Sequence, residues 1–590
     1  MDKLKKRIKQ ISREKPEIFI LAGYLGVWIC IALLVLPRVY GPSLLPDEFG
    51  YIAQAAGMAG MDWRETTSLY SYYSFGYGVL IFPFIKLFSE GIVLYRVMVA
   101  VNFLLLMAAT LLVYRIMIKN FKNTEKKILT LVSGAAVLYV AYITYSQTMM
   151  AETLLVFLYI LLAYGLFRWF QKPSLKSGML VVLTSGYMYT VHMRTIGILL
   201  ATTVCMAVMI CLQKEETKKW RKLIILCLIL IAVLFFAQLL KSHLIEGVGS
   251  ESYIELTRSN DYSGQWGKVK RLFSMKGIGQ FLAGLGGKIF YLGCASFGLY
   301  YWGMAFLFGK AKKWTHKLVK RKYITPEDWW YLWLFLSHLS ALFISTVYTL
   351  GTTGRLDALL YGRYHENTIP FVIALGILNL LEKPALKKRV LWLIGLNGLC
   401  FFVLYGILEA GGIDAVAKHS ITGIAYAVVH ADYYDTQMLL YAYLAGGAGS
   451  LLTLGISYVT RGGKRWYGLL LGLSAMQLVT AFEAGRSLYL WADWQREDTK
   501  LLSETRELAK SKGEEKVLFL LDTKNRRPCL AQYILQDIPL HIVWENEVQE
   551  DSEEGAAFLL RQRTFDTEDT YGDYVRIAQS PKYELYYHSE

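Results

Sequence analysis

The chain has 590 residues, 54% of them hydrophobic and only 19% charged, and the apolar residues are gathered into runs of about 20. That excludes a water-soluble protein and predicts a polytopic membrane protein. The formal net charge of +16 sits mainly in short Lys/Arg clusters between apolar runs, the distribution of topology signals, so no nucleic-acid partner is expected. Of seven cysteines, six lie in apolar segments and Cys529 stands alone near the C-terminus. This gives neither a disulfide framework nor zinc-ligand spacing.

The basic stretch "MDKLKKRIKQISREK" leads into the first apolar run in the manner of a signal peptide, but no small-residue cleavage site follows and Pro37 and Arg38 end the run. An uncleaved transmembrane helix is expected. Runs able to cross about 30 Å of hydrocarbon at about 1.5 Å per residue fall at 18–38, 92–118, 128–146, 149–170, 177–191, 195–212, 222–240, 281–309, 328–350, 366–381, 389–409, 438–459 and 466–490, thirteen crossings.

The clusters "KNFKNTEKK", "FRWFQKPSLK", "QKEETKKWRK", "GKAKKWTHKLVKRK", "EKPALKKR" and "TRGGKRW" then all fall on the side of the basic N-terminus, the cytoplasm by the positive-inside rule. An odd count leaves the C-terminus outside. Counting 71–91 as a crossing would break that alternation, so "SYYSFGYGVLIFPFIKLFSEG", with Pro83 and Lys86, is read as a juxtamembrane helix in the outer interface. The outer segments are 39–91, 241–280, 351–365 and 410–437.

The expected organisation is a membrane domain over 1–492 and a small extracytoplasmic domain over 493–590. From residue 496 onward the chain holds 13 Lys and Arg against 20 Asp and Glu, and short apolar runs replace long ones. A helix near 498–511, strands at "KVLFLLD", "LHIVW", "AAFLLRQR", "YVRIAQS" and "YELYYH", and a helix at "PCLAQYILQ" predict an α/β layer without a catalytic motif.

Charges at the outer membrane edge are costly and tend to be functional. Asp47 and Glu48 in "GPSLLPDEFGYIAQAAGMAG" are adjacent, so their side chains diverge and need not share a proton; Asp47 suits a helix cap as well as a base. Glu152 opens an otherwise uncharged span, either as a solvated helix end or as a site residue. His192 and Arg194 occupy a short outer turn, where a snorkelling arginine is the alternative. Arg363, His365 and Glu366 stand at the entry of a later span, where a local Arg–Glu pair is the alternative, and Arg355 and Asp357 lie just upstream. In 241–280, Arg258, Lys268, Lys270 and Arg271 alternate with Tyr253, Tyr262 and Trp266, a mix suited to anionic headgroups. A base beside an arginine phosphate clamp is the economical reading of these charges together.

"PDEFGY" in the first outer loop, "YGVLIFPFIKLFSEG" followed by "YRVMVAVNFLLLMAATLLVYRI", the outer Glu152, "HMRTIG", "YGRYHENTIP" and an outer C-terminal domain together resemble the GT-C membrane glycosyltransferases that use polyprenyl-phosphate sugars, such as the protein O-mannosyltransferases and the lipid A aminoarabinose transferases. The resemblance covers nearly the whole chain. It implies a mainly α, polytopic transmembrane helical GT-C fold with a small C-terminal α/β domain. It implies Asp47 as general base, Glu48 as its support and Glu152 as the second outer acid. Arg194 is implied to help the active site or the lipid phosphate, and Arg363 to face the donor phosphate; His192, His365 and Tyr51 are further candidates for substrate binding.

One departure is "YYSFGYG", where many relatives carry a basic residue and a proline pair; Tyr72, Tyr73 and Tyr77 stand there instead. The implied reaction inverts the anomeric carbon, with no metal or other cofactor. The implied partners are a polyprenyl-phosphate-linked sugar, a glycan, lipid or protein acceptor, and membrane lipids, at a bacterial plasma membrane. A lipid-linked saccharide flippase or a non-catalytic envelope-assembly protein is the alternative; a flippase would more often show inverted repeats or helices broken near the midplane.

Overall fold

The computed structural model describes residues 15–71, 73–212, 217–249, 262–352, 355–382, 386–411, 417–429, 436–459, 466–488, 490–544, 556–563, 570–571 and 573–588. Tyr72, Tyr253 and Arg258 lie outside the described residues. Among those described, nine helices are long and apolar enough to cross a membrane. Most predicted spans each contain one helix, such as Pro16–Val35, Gly91–Asn120, Glu152–Gln171 and Pro326–Tyr348. The chain is a multi-pass membrane protein.

Four of the thirteen predicted spans are not among the nine: 177–191 and 366–381 hold the shorter helices Leu175–Val191 and Pro370–Glu382, of 17 and 13 residues, and two others are broken. The run 281–309 is two helices, Met275–Ala295 and Leu299–Val319, bent by 116°. The bend is made by Phe297 at φ 49° and Gly298 at φ 80°, left-handed conformations that end one helix and start the next. Both sides of the bend are apolar, so hydropathy alone carries no trace of it. The run 128–146 holds Lys126–Val137 and the short Val140–Tyr145, separated at Leu138 and at Tyr139, whose backbone is extended. Between the first two long helices lie Asp47–Ala59, Arg64–Ser68 and Gly76–Leu87. The last has 12 residues, about 18 Å at 1.5 Å per residue, too short to cross.

Burial separates centre from rim. The most apolar window of Glu152–Gln171 is 78% buried and that of Trp220–Val248 only 11%. The first is therefore packed on most sides, while the second turns Leu228, Ile231 and Phe236 outward. Helix starts follow their caps: Ser174 and Ser177 form a capping box, as do Thr325 and Asp328 with Pro326 in the first turn.

Leu299–Val319 and Pro370–Glu382 approach through facing glycines. A Cβ on Gly303 would stand 1.9 Å from the carbonyl oxygen of Val372, and one on Gly376 would stand 2.2 Å from that of Leu299. Backbone meets backbone there, the close packing small residues permit between membrane helices. Gly303→Ala is expected to cost roughly 1–3 kcal/mol by overpacking, read as a lower thermal midpoint of the detergent-solubilised protein; an unchanged midpoint would contradict this contact.

The C-terminal unit begins with the helix Asp493–Lys512 and carries six strands: β1 (Val517–Leu521), β2 (Leu540–Trp544), β3 (Phe558–Gln562), β4 (Thr570–Tyr571), β5 (Tyr574–Gln579) and β6 (Tyr583–His588). Their order is β2-β1-β3-β6-β5-β4, with β1 parallel to β2 and β3 and the remaining pairs antiparallel. The helix Arg527–Leu535 provides the β1–β2 crossover and packs back on the first outer segment. There Trp63 Nε1 donates to the Gln536 carbonyl at 2.6 Å, and Tyr533 OH donates to the Gly91 carbonyl at 2.7 Å.

Candidate active site

A cavity of about 750 Å³ is lined by the first outer loop, the turn after Val191, the end of Pro326–Tyr348, the 355–364 and 417–419 segments and Arg526 of the C-terminal unit. Among its described lining residues five side chains are cationic (Arg194, Arg355, Arg363, Lys418 and Arg526) and one is a carboxylate, Asp47. Ile196, Val269, Phe343, Ile344 and Val347 form an apolar wall, and the Phe343 side of that wall is exposed. A positive pocket with an apolar flank suits an anionic headgroup carrying a hydrocarbon tail.

Asp47, Glu152, Arg194 and Arg363 come together as one buried cluster. Glu152 Oε1 accepts Arg363 Nε at 2.7 Å and Arg194 Nη2 at 3.1 Å, with all three side chains at most 5% exposed. Arg363 Nη1 donates to Asp47 Oδ2. Arg363 thus bridges two distant carboxylates rather than pairing with its neighbour Glu366, which accepts the hydroxyls of Tyr291, Tyr139 and Tyr145 at 2.6, 3.0 and 3.3 Å. Glu152 lies behind the arginines and Asp47 faces the cavity. Asp47 opens the helix Asp47–Ala59 without a side-chain capping bond. Its oxygens instead take Arg363, His419 Nε2 at 3.2 Å and Tyr73 OH at 2.5 Å.

Local backbone structure holds each group in place. The Gly362 and Arg363 amides both donate to the Ser420 carbonyl, at 2.9 and 3.3 Å, which fixes Arg363 beside the turn that carries His419. The helix Leu175–Val191 ends at extended His192, whose Nδ1 accepts the Arg194 amide at 3.3 Å. The Arg194 guanidinium lies 4.5 Å from the Tyr364 ring centroid, and its Nε and Nη1 have no hydrogen-bond partner among the described residues. Burial would raise the Asp47 carboxyl, but Arg363, His419 and Tyr73 hold it well below the usual carboxylate range. Burial, with Arg194 and Arg363 nearby, pushes the His192 ring well below its ordinary value.

The remaining candidates stand elsewhere. Glu48 is fully buried and points away from the cavity: Oε1 accepts the Ser43 and Leu44 amides at 2.8 Å each, and Oε2 accepts Tyr95 OH at 2.8 Å and the Met149 amide at 2.7 Å. It fastens the first outer loop to the turn before Glu152, and so sets the spacing between Asp47 and Glu152. Tyr51 is buried behind Tyr73 at a ring separation of 5.0 Å and does not line the cavity. His365 is buried outside it, with Nδ1 3.3 Å from Ser345 Oγ. His192 lines it against Tyr364.

Residue-by-residue reading passed over His419, the Tyr348–Tyr361–Tyr364 aromatic group and Arg526. The one available signal for His419 was a histidine within an outer segment. Among the described residues no group of three or more His, Cys, Asp or Glu side chains is placed to hold a metal ion.

Many apolar helices around a cavity, followed by a small C-terminal sheet, make up a fold that solved structures share. In particular, the crystal structure of ArnT from Cupriavidus metallidurans bound to undecaprenyl phosphate shares it with a TM-score of 0.50 at 12% identity, over 96% of this chain and 98% of that one. The archaeal oligosaccharyltransferase AglB from Archaeoglobus fulgidus, in complex with an inhibitory peptide and a dolichol-phosphate, aligns with a TM-score of 0.44 at 10% identity, over 93% of this chain and 70% of that one. The mycobacterial arabinofuranosyltransferase AftD aligns at 0.42 and 13%, over 97% and 41%. No protein-family model and no curated protein matches the sequence.

Proposed function

We propose that this protein is an inverting glycosyltransferase that moves a sugar from a polyprenyl-phosphate donor to a hydroxyl of a cell-envelope glycan, lipid or protein at the outer face of the plasma membrane. The observation that carries this reading is the set of cationic donors, Arg194 and Arg363 among them, in an apolar-walled cavity whose one carboxylate among the described lining residues is Asp47. Those donors fit a phosphate, and Asp47 fits a proton acceptor.

Asp47 takes the acceptor hydroxyl proton as the acceptor oxygen bonds the anomeric carbon. The bond from that carbon to the phosphate oxygen breaks, and its electron pair leaves with the phosphate, neutralised by Arg194 and Arg363. In the resting site Arg363 weakens Asp47 as a base; a donor phosphate that draws the guanidinium toward itself returns basicity to the carboxylate. Glu152 holds both arginines, Glu48 spaces the loop, and His419 and Tyr73 orient Asp47. The reading places the N-terminus in the cytoplasm and the C-terminal unit outside, and it needs no metal, because phosphate is a good leaving group once arginine neutralises it.

Binding of undecaprenyl phosphate to the purified full-length protein tests this reading. Arg194→Ala is expected to weaken it by about tenfold or more, the scale of a lost charge-assisted contact, and chelation with EDTA is expected to leave both binding and transfer unchanged. Equal affinity in wild type and variant, or loss of transfer on chelation, would contradict it.

A further inference from the structure

A second cavity, about 650 Å³ and open to solvent, lies between the first outer loop and the C-terminal unit. Its walls include Pro42, Leu45 and Tyr70 on one side and Trp494, Lys524, Arg526 and Arg527 on the other. It shares Ser43, Leu45 and Arg526 with the cavity that holds Asp47, so the two adjoin across the stretch leading into that residue.

The charge there runs against its surroundings. From residue 496 onward acids outnumber bases by 20 to 13, yet three of those bases fall within 524–527 and line the groove, and no carboxylate is among its described lining residues. Lys524, Arg526 and Arg527 form no ion pair among the described residues. The segment that carries them is fixed from both domains through its backbone. Tyr70 OH donates to the Asn525 carbonyl at 2.6 Å, Tyr583 OH donates to the Arg527 carbonyl at 2.9 Å, and Asn525 Oδ1 accepts the Arg527 amide at 2.9 Å. Lys524 and Arg526 are left exposed and Arg527 half-buried. The Trp494 ring has Arg527 and Lys582 each 5.9 Å from its centroid, and Lys524 lies 6.0 Å from that of Tyr70. Fixed cations beside a half-buried indole suit a ligand that has anionic groups and also an extended ring face.

We infer that this groove is the acceptor subsite, and that the acceptor is an anionic saccharide bearing carboxylate or phosphate groups. Its sugar rings lie on Trp494, its charges meet Lys524, Arg526 and Arg527, and its reactive hydroxyl enters the main cavity past Ser43 and Leu45. This rests on the glycosyltransferase reading above.

The test titrates the full-length protein in neutral detergent with tetragalacturonate, with maltotetraose as uncharged control and phosphatidylglycerol as competitor, and separately with undecaprenyl phosphate. Tetragalacturonate is expected to bind and maltotetraose not to; Lys524→Glu/Arg527→Glu weakens tetragalacturonate by at least about tenfold, and Trp494→Ala also weakens it. Undecaprenyl phosphate binding is unchanged in these variants. Equal binding of the two tetrasaccharides, no effect of the charge reversal, or full displacement by phosphatidylglycerol, which would make the groove a lipid-headgroup site, overturns the inference. Absence of undecaprenyl phosphate binding in the wild type overturns the glycosyltransferase reading instead, and the tetragalacturonate titration still decides the groove.

Discussion

Asp47→Asn is expected to lower sugar transfer by about 10²–10⁴-fold, the scale on which a positioned general base contributes, while the protein still inserts and folds. Asparagine keeps the shape and can still accept from Tyr73, and Arg363 retains Glu152 at 2.7 Å. What is lost is the one carboxylate among the described lining residues able to take a proton in the cavity.

The same variant has a stability signature whose sign follows from the ion pair. The folded Asp47 carboxyl is held below its ordinary value, so its contribution is fully present above the unfolded carboxylate pKa of about 4 and is lost progressively as pH falls below it. The difference in thermal midpoint between wild type and Asp47→Asn is therefore largest near neutrality and closes in acid. Transfer within a few-fold of wild type would remove Asp47 as base; a stability gap that widens in acid would contradict the ion pair.

Glu152→Gln is expected to be the most destabilising single change in the cluster, by about 3–5 kcal/mol, because it strands buried charge. Glu152 is 3% exposed and is the carboxylate to which both arginines bond, whereas Asp47, at 19%, is partly open to the cavity. After the change Arg363 keeps Asp47 and Arg194 loses its carboxylate partner. A lower midpoint than that of Asp47→Asn, or failure to accumulate in the membrane, is the expected result. Glu152→Gln/Arg194→Gln restores the charge balance and is expected to recover part of the loss; a double variant less stable than the single one would contradict the account.

The four charges of this cluster were legible in the sequence because an ionisable group at the edge of an apolar run stands out, and the alternation of basic clusters put all four on one face. Which of them touch was not legible, since the contacts join residues far apart in the chain. Composition also could not separate Asp47 from Glu48: consecutive helical positions point about 100° apart, so one faces the cavity and the other faces the backbone amides of Ser43, Leu44 and Met149. His365, two residues beyond Arg363, is likewise turned inward as the chain enters the turn Glu366–Thr368. His419 and Arg526 enter from segments without a hydropathy or motif signal, and only folding brings them to the cavity. The C-terminal strands were readable because each is a short apolar run between turn residues, while the parallel pairing of β1 with both β2 and β3 is a property of the folded sheet.

The central claim is that the outer cavity holds a polyprenyl phosphate with its phosphate on Arg194 beside Asp47. A structure of the full-length protein with undecaprenyl phosphate tests it most directly. The account predicts phosphate oxygens within about 3 Å of Arg194 Nε or Nη1, with Arg363 drawn from Asp47 toward them and the hydrocarbon chain leaving along Phe343 and Val347. A phosphate bound elsewhere, with the Arg194–Glu152–Arg363–Asp47 contacts unchanged, would contradict it.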